Sequence, residues 1–216
     1  MAEEFSDVRK SFYEARGNSA CDALRARGIE AKYFDSAVAM IEEVLLTIPA
    51  GAKVGAGGSV TLRETGLLDA LAERGPKPVV HEPTMEQAES MAVRKEAIVC
   101  PYYLCSSNAI TMGGELINTD GIGNRVCGMI FGPDTVIVVA GINKVVEDRD
   151  EAFSRVRNIA GPANARRLGL NTPCVKTGYC MDCKGADNIC RVTTIISGKP
   201  MWTDLRVFMV GEILGL

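Results

Sequence analysis

The sequence predicts an α/β protein with a mostly parallel sheet flanked by helices. Short apolar segments alternate with amphipathic segments, a pattern typical of βαβ units. The most apolar segment, residues 135–141, is bounded by turn residues and indicates a strand buried on both faces. Hydrophobic residues make up 47% and charged residues 24% of the 216 residues, a mix that supports one well-buried core. We therefore expect a single domain over residues 1–216.

Most of the alternating strands and helices are predicted in the first half of the chain. The first predicted helix ends at Gly28, a residue suited to the left-handed C-terminal cap. Thr61 and Glu64 have the spacing of a capping box, and Thr84 with Gln87 suggests a second capped helix. Helices are predicted at residues 3–27, at 36–47, from 61 and from 84 onward. Strands are predicted at residues 29–34, 53–57, 77–81 and 97–104.

The second half changes in character. Two apolar runs around Gly113 and Gly114 predict a β-hairpin over residues 109–118. A helix is expected to follow residues 120–124 and to continue to Phe131, and an amphipathic helix is expected over residues 148–168. Residues 135–141, 192–196 and 205–210 are predicted strands.

Charge and segment lengths narrow the choice of partners. The formal net charge is −3, so a broad basic surface for nucleic acid is not expected, and a small molecule or a protein is the favoured partner. The acidic, helical N-terminus lacks the apolar core of a signal peptide, and no segment is long enough to span a membrane. We therefore expect a cytoplasmic protein whose eight cysteines stay reduced.

Four of these cysteines are crowded into a polar segment, residues 172–191. The spacing Cys174-x5-Cys180-x2-Cys183-x6-Cys190 places four thiols within 17 residues. A glycine-bearing polar loop with a Cys-x2-Cys element is typical of a metal centre held by thiolates. Four unrelated buried cysteines, or a cytosolic disulfide, are the weaker interpretations. The spacing leaves both an iron–sulfur cluster and a zinc ion open.

Polar loops follow several predicted strands, where α/β proteins place their ligands. Residues 55–59 form a glycine turn before a helix, which suits either an anion or an ordinary tight turn. Residues 106–108 and 118–125 carry hydroxyls, amides, a carboxylate and a guanidinium, and would form a pocket if the loops converge. The single histidine, His81, is more typical of packing than of a catalytic base.

These motifs together resemble the LUD (lactate utilisation) domain family. The resemblance rests on residues 57–59, 108–111, 114–125, 138–144 and 157–164 and on the cysteine segment from Thr172 onward, which marks a branch with a C-terminal four-cysteine motif. It implies a fold similar to ribose-5-phosphate isomerases and CoA transferases. It also implies a part in oxidising L-lactate to pyruvate, with separate iron–sulfur partner subunits.

The resemblance also implies a binding site for a small anionic substrate or ligand. Its residues would be Gly57, Gly58, Ser59, Asn108, Asp120, Gly121, Asn124, Arg125 and Lys144. The catalytic glutamate of CoA transferases has no counterpart, because Glu115 belongs to the predicted hairpin turn, so no catalytic residue is assigned.

Two functions follow from these observations. The first is an oxidoreductase component in which Cys174, Cys180, Cys183 and Cys190 hold a [4Fe–4S] cluster, and Arg125 or Lys144 pairs with the substrate carboxylate. The second is a non-catalytic ligand-binding or regulatory module in which the four cysteines hold a structural zinc.

Overall fold

A computed structural model describes residues 2–216, with side chains from residue 5 onward. Met1, which belongs to the predicted domain of residues 1–216, lies outside them. The predicted fold class is confirmed, because a five-stranded parallel sheet carries helices on both faces.

The strands of the described chain belong to two sheets. In chain order they are β1 (Glu30–Phe34), β2 (Val54–Ala56), β3 (Tyr102–Cys105), β4 (Ala109–Thr111), β5 (Leu116–Asp120), β6 (Thr135–Gly141), β7 (Val145–Val146), β8 (Val192–Ile196) and β9 (Asp204–Val210). The main sheet has the order β1-β9-β6-β3-β2, and all of its pairs are parallel. The smaller sheet has the order β7-β4-β5-β8. The predicted hairpin is β4-β5, and the two predicted closing strands separate, with β8 in the smaller sheet and β9 in the main one.

The helices occupy both faces of the main sheet. In chain order they are α1 (Ala2–Ala26), α2 (Ala37–Thr47), α3 (Val60–Glu64), α4 (Leu67–Ala72), α5 (Gln87–Ala97), α6 (Asn124–Ile130), α7 (Arg149–Arg155), α8 (Gly161–Arg167) and α9 (Pro173–Thr177). Alternate residues of β6 enter opposite cores: Val136 and Val138 pack with α1, whereas Ile137 and Val139 pack with α2, α3 and α4. No helix in residues 2–216 combines the length and apolarity needed to cross a bilayer.

Three local predictions were wrong. Helix α3 is capped by Ser59, whose hydroxyl accepts a hydrogen bond from the Leu62 amide at 3.3 Å, so Thr61 is not the cap. Helix α5 follows Glu86, and no side chain caps it. Residues 77–81 form only an isolated bridge between Val79 and Gly55, because the neighbouring Pro78 has no backbone donor for a ladder.

The predicted long helix over residues 148–168 is continuous but not regular. Asp148 caps α7 through its side chain, which accepts from the Glu151 amide at 2.9 Å. A π-helical segment, Val156–Ala160, then leads directly into α8. Single π turns inside α-helices occur often at functional sites, and this one faces the cleft described next.

Candidate functional site

A cleft of about 250 Å³ lies at the carboxyl edge of the main sheet. The segments that follow β2, β3 and β6 leave the sheet at this edge because all three strands are parallel. The C-terminal residue Leu216, six residues beyond the end of β9, also lines the cleft. The cleft therefore occupies the position where open α/β sheets bind their ligands.

The structure brings together eight of the nine residues predicted to bind a ligand. Those that line the cleft are Gly58, Ser59, Asn108, Asp120, Gly121, Asn124, Arg125 and Lys144. Gly57 lies behind them, where an added Cβ would be 3.2 Å from Tyr103 Oη and 3.6 Å from Arg125 Cγ. The polar loops thus converge, which the sequence left open, and their role in binding stays a prediction.

Lys144 lies at the inner end of the cleft, and only 4% of its surface is exposed. It closes the short 3₁₀ turn Ile142–Lys144 that follows β6. Its Nζ donates hydrogen bonds of 2.8 Å to both Thr61 Oγ1 and Ser106 Oγ. No carboxylate of the described residues forms an ion pair with Lys144.

The surroundings of Lys144 disfavour its charged form. Burial, followed by the positive charges of Arg155 and Arg125, lowers the pKa of Lys144 to about 7. The Glu64 carboxylate acts weakly in the opposite direction and is engaged with the Gly215 amide at 2.6 Å. Near neutral pH the amine therefore exists in comparable amounts with and without its proton.

Arg125 lines the cleft, and its guanidinium is fully engaged by hydrogen bonds to the protein. Its guanidinium donates to Asp120 Oδ1 at 2.6 and 3.0 Å, to Asn108 Oδ1 at 2.8 Å and to the Ser106 carbonyl at 2.7 Å, with further bonds to Asn118 and Thr119. Each of its nitrogens thus has a protein partner. Arg125 ties together the loops after β3 and β5, which gives it a positioning role.

Three further side chains of the cleft were not assigned to it from the sequence. Arg94 on α5 and Arg167 at the end of α8 line the cleft, and both sit in ordinary basic helical sequence that carries no motif. His81 also lines it and packs on Gly58, where an added Cβ would lie 2.6 Å from the imidazole. Burial and the charges of Arg94 and Arg63 lower the pKa of His81, which favours the neutral form of its ring.

The π segment connects the cleft to the cysteine segment. Val156 and Ala160 line the cleft, whereas Asn158 Oδ1 accepts from the Cys180 amide at 3.5 Å. Beyond the segment, an added Cβ on Gly161 would lie 3.5 Å from Cys190 Sγ. Cys190 is itself part of the cleft wall, so the predicted metal loop and the predicted ligand site share one boundary.

The cysteine segment offers suitable donors for a metal centre. Asp182, between Cys180 and Cys183, has a φ of 48°, and its amide approaches Cys180 Sγ at 3.4 Å. Amide hydrogen bonds to sulfur stabilise metal-bound thiolates. Partial burial and the negative charge of the neighbouring Cys180, Cys174 and Cys183 raise the pKa of Cys190. In residues 2–216, however, no group of three or more His, Cys, Asp or Glu side chains is already arranged to coordinate an ion. The donor chemistry therefore fits, while metal binding and the identity of the metal remain predictions.

The remaining cysteines are separate from this loop. Cys21, Cys100 and Cys105 are buried, and Cys127 is half-buried. Burial raises the pKa of Cys21 to about 11 and that of Cys105 to about 12, so both stay protonated thiols.

Comparison with known proteins identifies the family. A search of curated proteins gave no match. A crystal structure of a DUF162 family protein from Deinococcus radiodurans is similar in fold, with a TM-score of 0.54 and 15% sequence identity over 92% of this chain and 98% of that one. The model of the LUD domain matches residues 18–210. Because this match spans most of the chain, the protein belongs to the LUD domain family, a membership that suggests involvement in lactate utilisation.

Proposed function

We propose that the cleft binds a small carboxylate of the lactate–pyruvate class, and that the chain serves as a component of lactate oxidation. The observation that carries the proposal is an excess of positive charge in the cleft wall. Four cationic side chains, Arg94, Arg125, Lys144 and Arg167, line it against one carboxylate, Asp120. That carboxylate is already neutralised by Arg125 at 2.6 Å, which leaves Arg94 and Arg167 as cations for a ligand, with Lys144 partly charged near neutral pH.

The hydrogen bonds of each cation show which of them have donors left for a ligand. Of the two residues expected to pair with the substrate carboxylate, Arg125 has no nitrogen without a protein partner. Arg167 bonds only to Asn164 Oδ1, through Nε at 3.1 Å and Nη2 at 2.8 Å, and keeps its Nη1 donors for a ligand. We therefore assign the carboxylate to Arg167 and Arg94 at the rim, with Lys144 at the inner end facing the rest of the molecule.

The cysteine segment supplies the second half of the proposal. Cys174, Cys180, Cys183 and Cys190 would hold a [4Fe–4S] cluster, which when bound accepts and passes on single electrons. The position of Cys190 in the cleft wall supports a metal centre close to the ligand. Partner subunits carrying further iron–sulfur clusters would complete the electron path.

A non-catalytic alternative has its own supporting observation. Asp120, the carboxylate in the cleft wall, is held by Arg125 and by the Val126 amide at 3.0 Å, an arrangement that suits a structural group better than a general base. A ligand-binding or regulatory module with a structural zinc in the cysteine segment would have these properties.

The test is titration calorimetry of the full chain, purified without oxygen, with pyruvate and with L-lactate. Arg167→Gln is expected to weaken binding about tenfold, the loss typical of one charge-assisted contact. Lys95→Gln is the matched control, because Lys95 lies on the exposed side of α5 and its loss changes the net charge equally. Equal weakening in both variants, or no binding to the unmodified protein, would contradict the proposal.

Metal analysis of the same preparation separates the two functions. A brown protein with about four irons per chain, bleached by dithionite, is expected for the redox component. A colourless protein with one zinc would support the binding module.

A further inference from the structure

We propose that Lys144 forms a covalent imine with the carbonyl carbon of a small 2-oxo acid bound in the cleft. This inference rests on the proposed function, since the acid must first bind there. It adds a covalent step and narrows the ligand from any small carboxylate to one with a ketone beside the carboxylate.

The position of the amine is the first argument. Lys144 is almost fully buried yet belongs to the wall of the cleft, so its Nζ meets a ligand without bulk water between them. Two of its three donors are directed at Thr61 Oγ1 and Ser106 Oγ, and the third has no partner among the described residues. The backbone of Gly215 packs against Thr61 and Lys144, where an added Cβ would be 2.3 Å from Thr61 Oγ1 and 3.1 Å from Nζ. A side chain fixed in this way presents its nitrogen in one direction.

The electrostatic setting is the second argument. A structural buried lysine is normally paired with a carboxylate, because an isolated ammonium is costly to desolvate. Lys144 instead has two hydroxyls as partners, and the charges that act on it most strongly are those of Arg155 and Arg125. Desolvation beside another cation is the arrangement that activates a lysine amine for attack on carbonyl carbons.

The neighbouring hydroxyls complete the chemistry. The neutral amine would attack the ketone carbon, forming a C–N bond while the carbonyl oxygen takes up a proton and becomes a hydroxyl. Loss of that hydroxyl as water then gives the C=N bond, and the protons lost by nitrogen leave with it. Thr61 donates to Ser106 Oγ at 3.3 Å, so a hydroxyl pair is available to relay a proton between the amine and the departing oxygen. The products are one imine and one water, and no electron is exchanged.

The cationic rim selects the ligand. Arg94 and Arg167 line the same cleft as Lys144 and would attract the carboxylate of the acid, whose ketone carbon would react with Lys144. L-lactate carries a hydroxyl in place of the ketone and is expected to bind without forming the adduct. The adduct would thus mark the oxidised partner of the lactate–pyruvate pair.

The test is reduction of the full chain with sodium cyanoborohydride in the presence of pyruvate, followed by intact mass measurement and peptide mapping. One reduced pyruvate adduct per chain, located on Lys144, is the expected result. Lys144→Arg should lose the adduct, whereas Lys95→Arg, which removes an exposed lysine of α5, should keep it. Mapping of the unmodified protein identifies the modified lysine directly, so the reading does not depend on how well Lys144→Arg folds.

Calorimetry with pyruvate separates this inference from the proposed function. Binding without an adduct on Lys144, or an adduct confined to other lysines, would overturn the imine and leave carboxylate binding intact. Neither binding nor an adduct would overturn both.

Discussion

Replacing Arg125 with methionine would leave a carboxylate in the protein interior without its counter-charge. Asp120 is only 9% exposed and Arg125 15%, so solvent screens their ion pair weakly. Removal of one partner from a buried, hydrogen-bonded pair typically costs about 3 to 5 kcal/mol. The bonds from Arg125 to Asn108 and to the Ser106 carbonyl would be lost as well. We therefore expect the free energy of unfolding to fall by about 3 to 5 kcal/mol.

The assay is urea unfolding followed by far-ultraviolet circular dichroism. For a chain of this size, a denaturant slope of about 3 kcal/mol/M converts the expected loss into a midpoint lower by about 1 M or more. The matched control is the double variant Arg125→Met with Asp120→Asn. It removes the stranded charge but keeps an oxygen that accepts from the Val126 amide. It is expected to be about 1 to 3 kcal/mol more stable than the single variant.

A midpoint shift below about 0.3 M for Arg125→Met would refute this reasoning, since it converts to less than about 1 kcal/mol. So would a double variant no more stable than the single one. Either outcome would mean that Asp120 reaches solvent or another partner in the folded protein, and Arg125 would again be available to a ligand.

Three further predictions follow from the cleft and the cysteine segment. Gly58→Ala should displace the His81 ring, because the new Cβ would lie 2.6 Å from it, and should weaken pyruvate binding in calorimetry without altering the circular dichroism spectrum. The free energy of unfolding should rise as pH increases from about 7 towards about 10. Lys144 has a pKa of about 7 in the folded protein and near 10.4 in the unfolded chain. In that pH window the unfolded chain therefore binds more protons than the folded protein, so raising the pH favours folding. Lys144→Met should lack this rise in urea titrations at several pH values, and an equal rise in that variant would exclude Lys144 as its source. Cys183→Ser should lower the metal content of anaerobically purified protein. The control variant Cys127→Ser, which alters a half-buried thiol of α6, should keep the metal content of the unmodified protein. Equal metal content in the two variants would count against the predicted ligand set.

The parts of the fold predicted from sequence are those set by local chemistry. Gly28, with a φ of 77°, ends the first helix where a left-handed residue is required, and the hairpin turns at Gly114, with a φ of 78°. Polar loops were predicted after several strands, the position where α/β proteins bind ligands, but the sequence left open whether these loops converge. The sequence pattern favoured Thr61 as the helix cap because Thr61 and Glu64 have the spacing of a capping box, whereas the structure has Ser59 as the cap. In the folded structure the Thr61 hydroxyl instead accepts a hydrogen bond from Lys144 Nζ.

The cationic rim formed by Arg94 and Arg167 could not be predicted from the sequence. Arg94 and Arg167 belong to helices in which basic residues near the C-terminus are expected for local reasons alone. Their convergence on the cleft depends on how α5 and α8 pack. The spacing of residues along the chain does not indicate this packing. The lowered pKa of Lys144 is likewise a product of burial, which a lone lysine in a sequence does not reveal.

The π segment Val156–Ala160 sets the rotational phase between two halves of one helix. Arg155 before it and Arg167 after it both point towards the cleft side of the molecule, the first to the Asn108 carbonyl and the second into the cleft wall. If these five residues were wound as a regular α-helix, at about 100° per residue instead of the smaller angle of a π turn, α8 would turn by roughly 90° relative to α7. Arg167 would then leave the cleft, and Gly161 would leave Cys190. The π winding of this segment is thus what keeps Arg167 in the cleft wall and Gly161 beside Cys190.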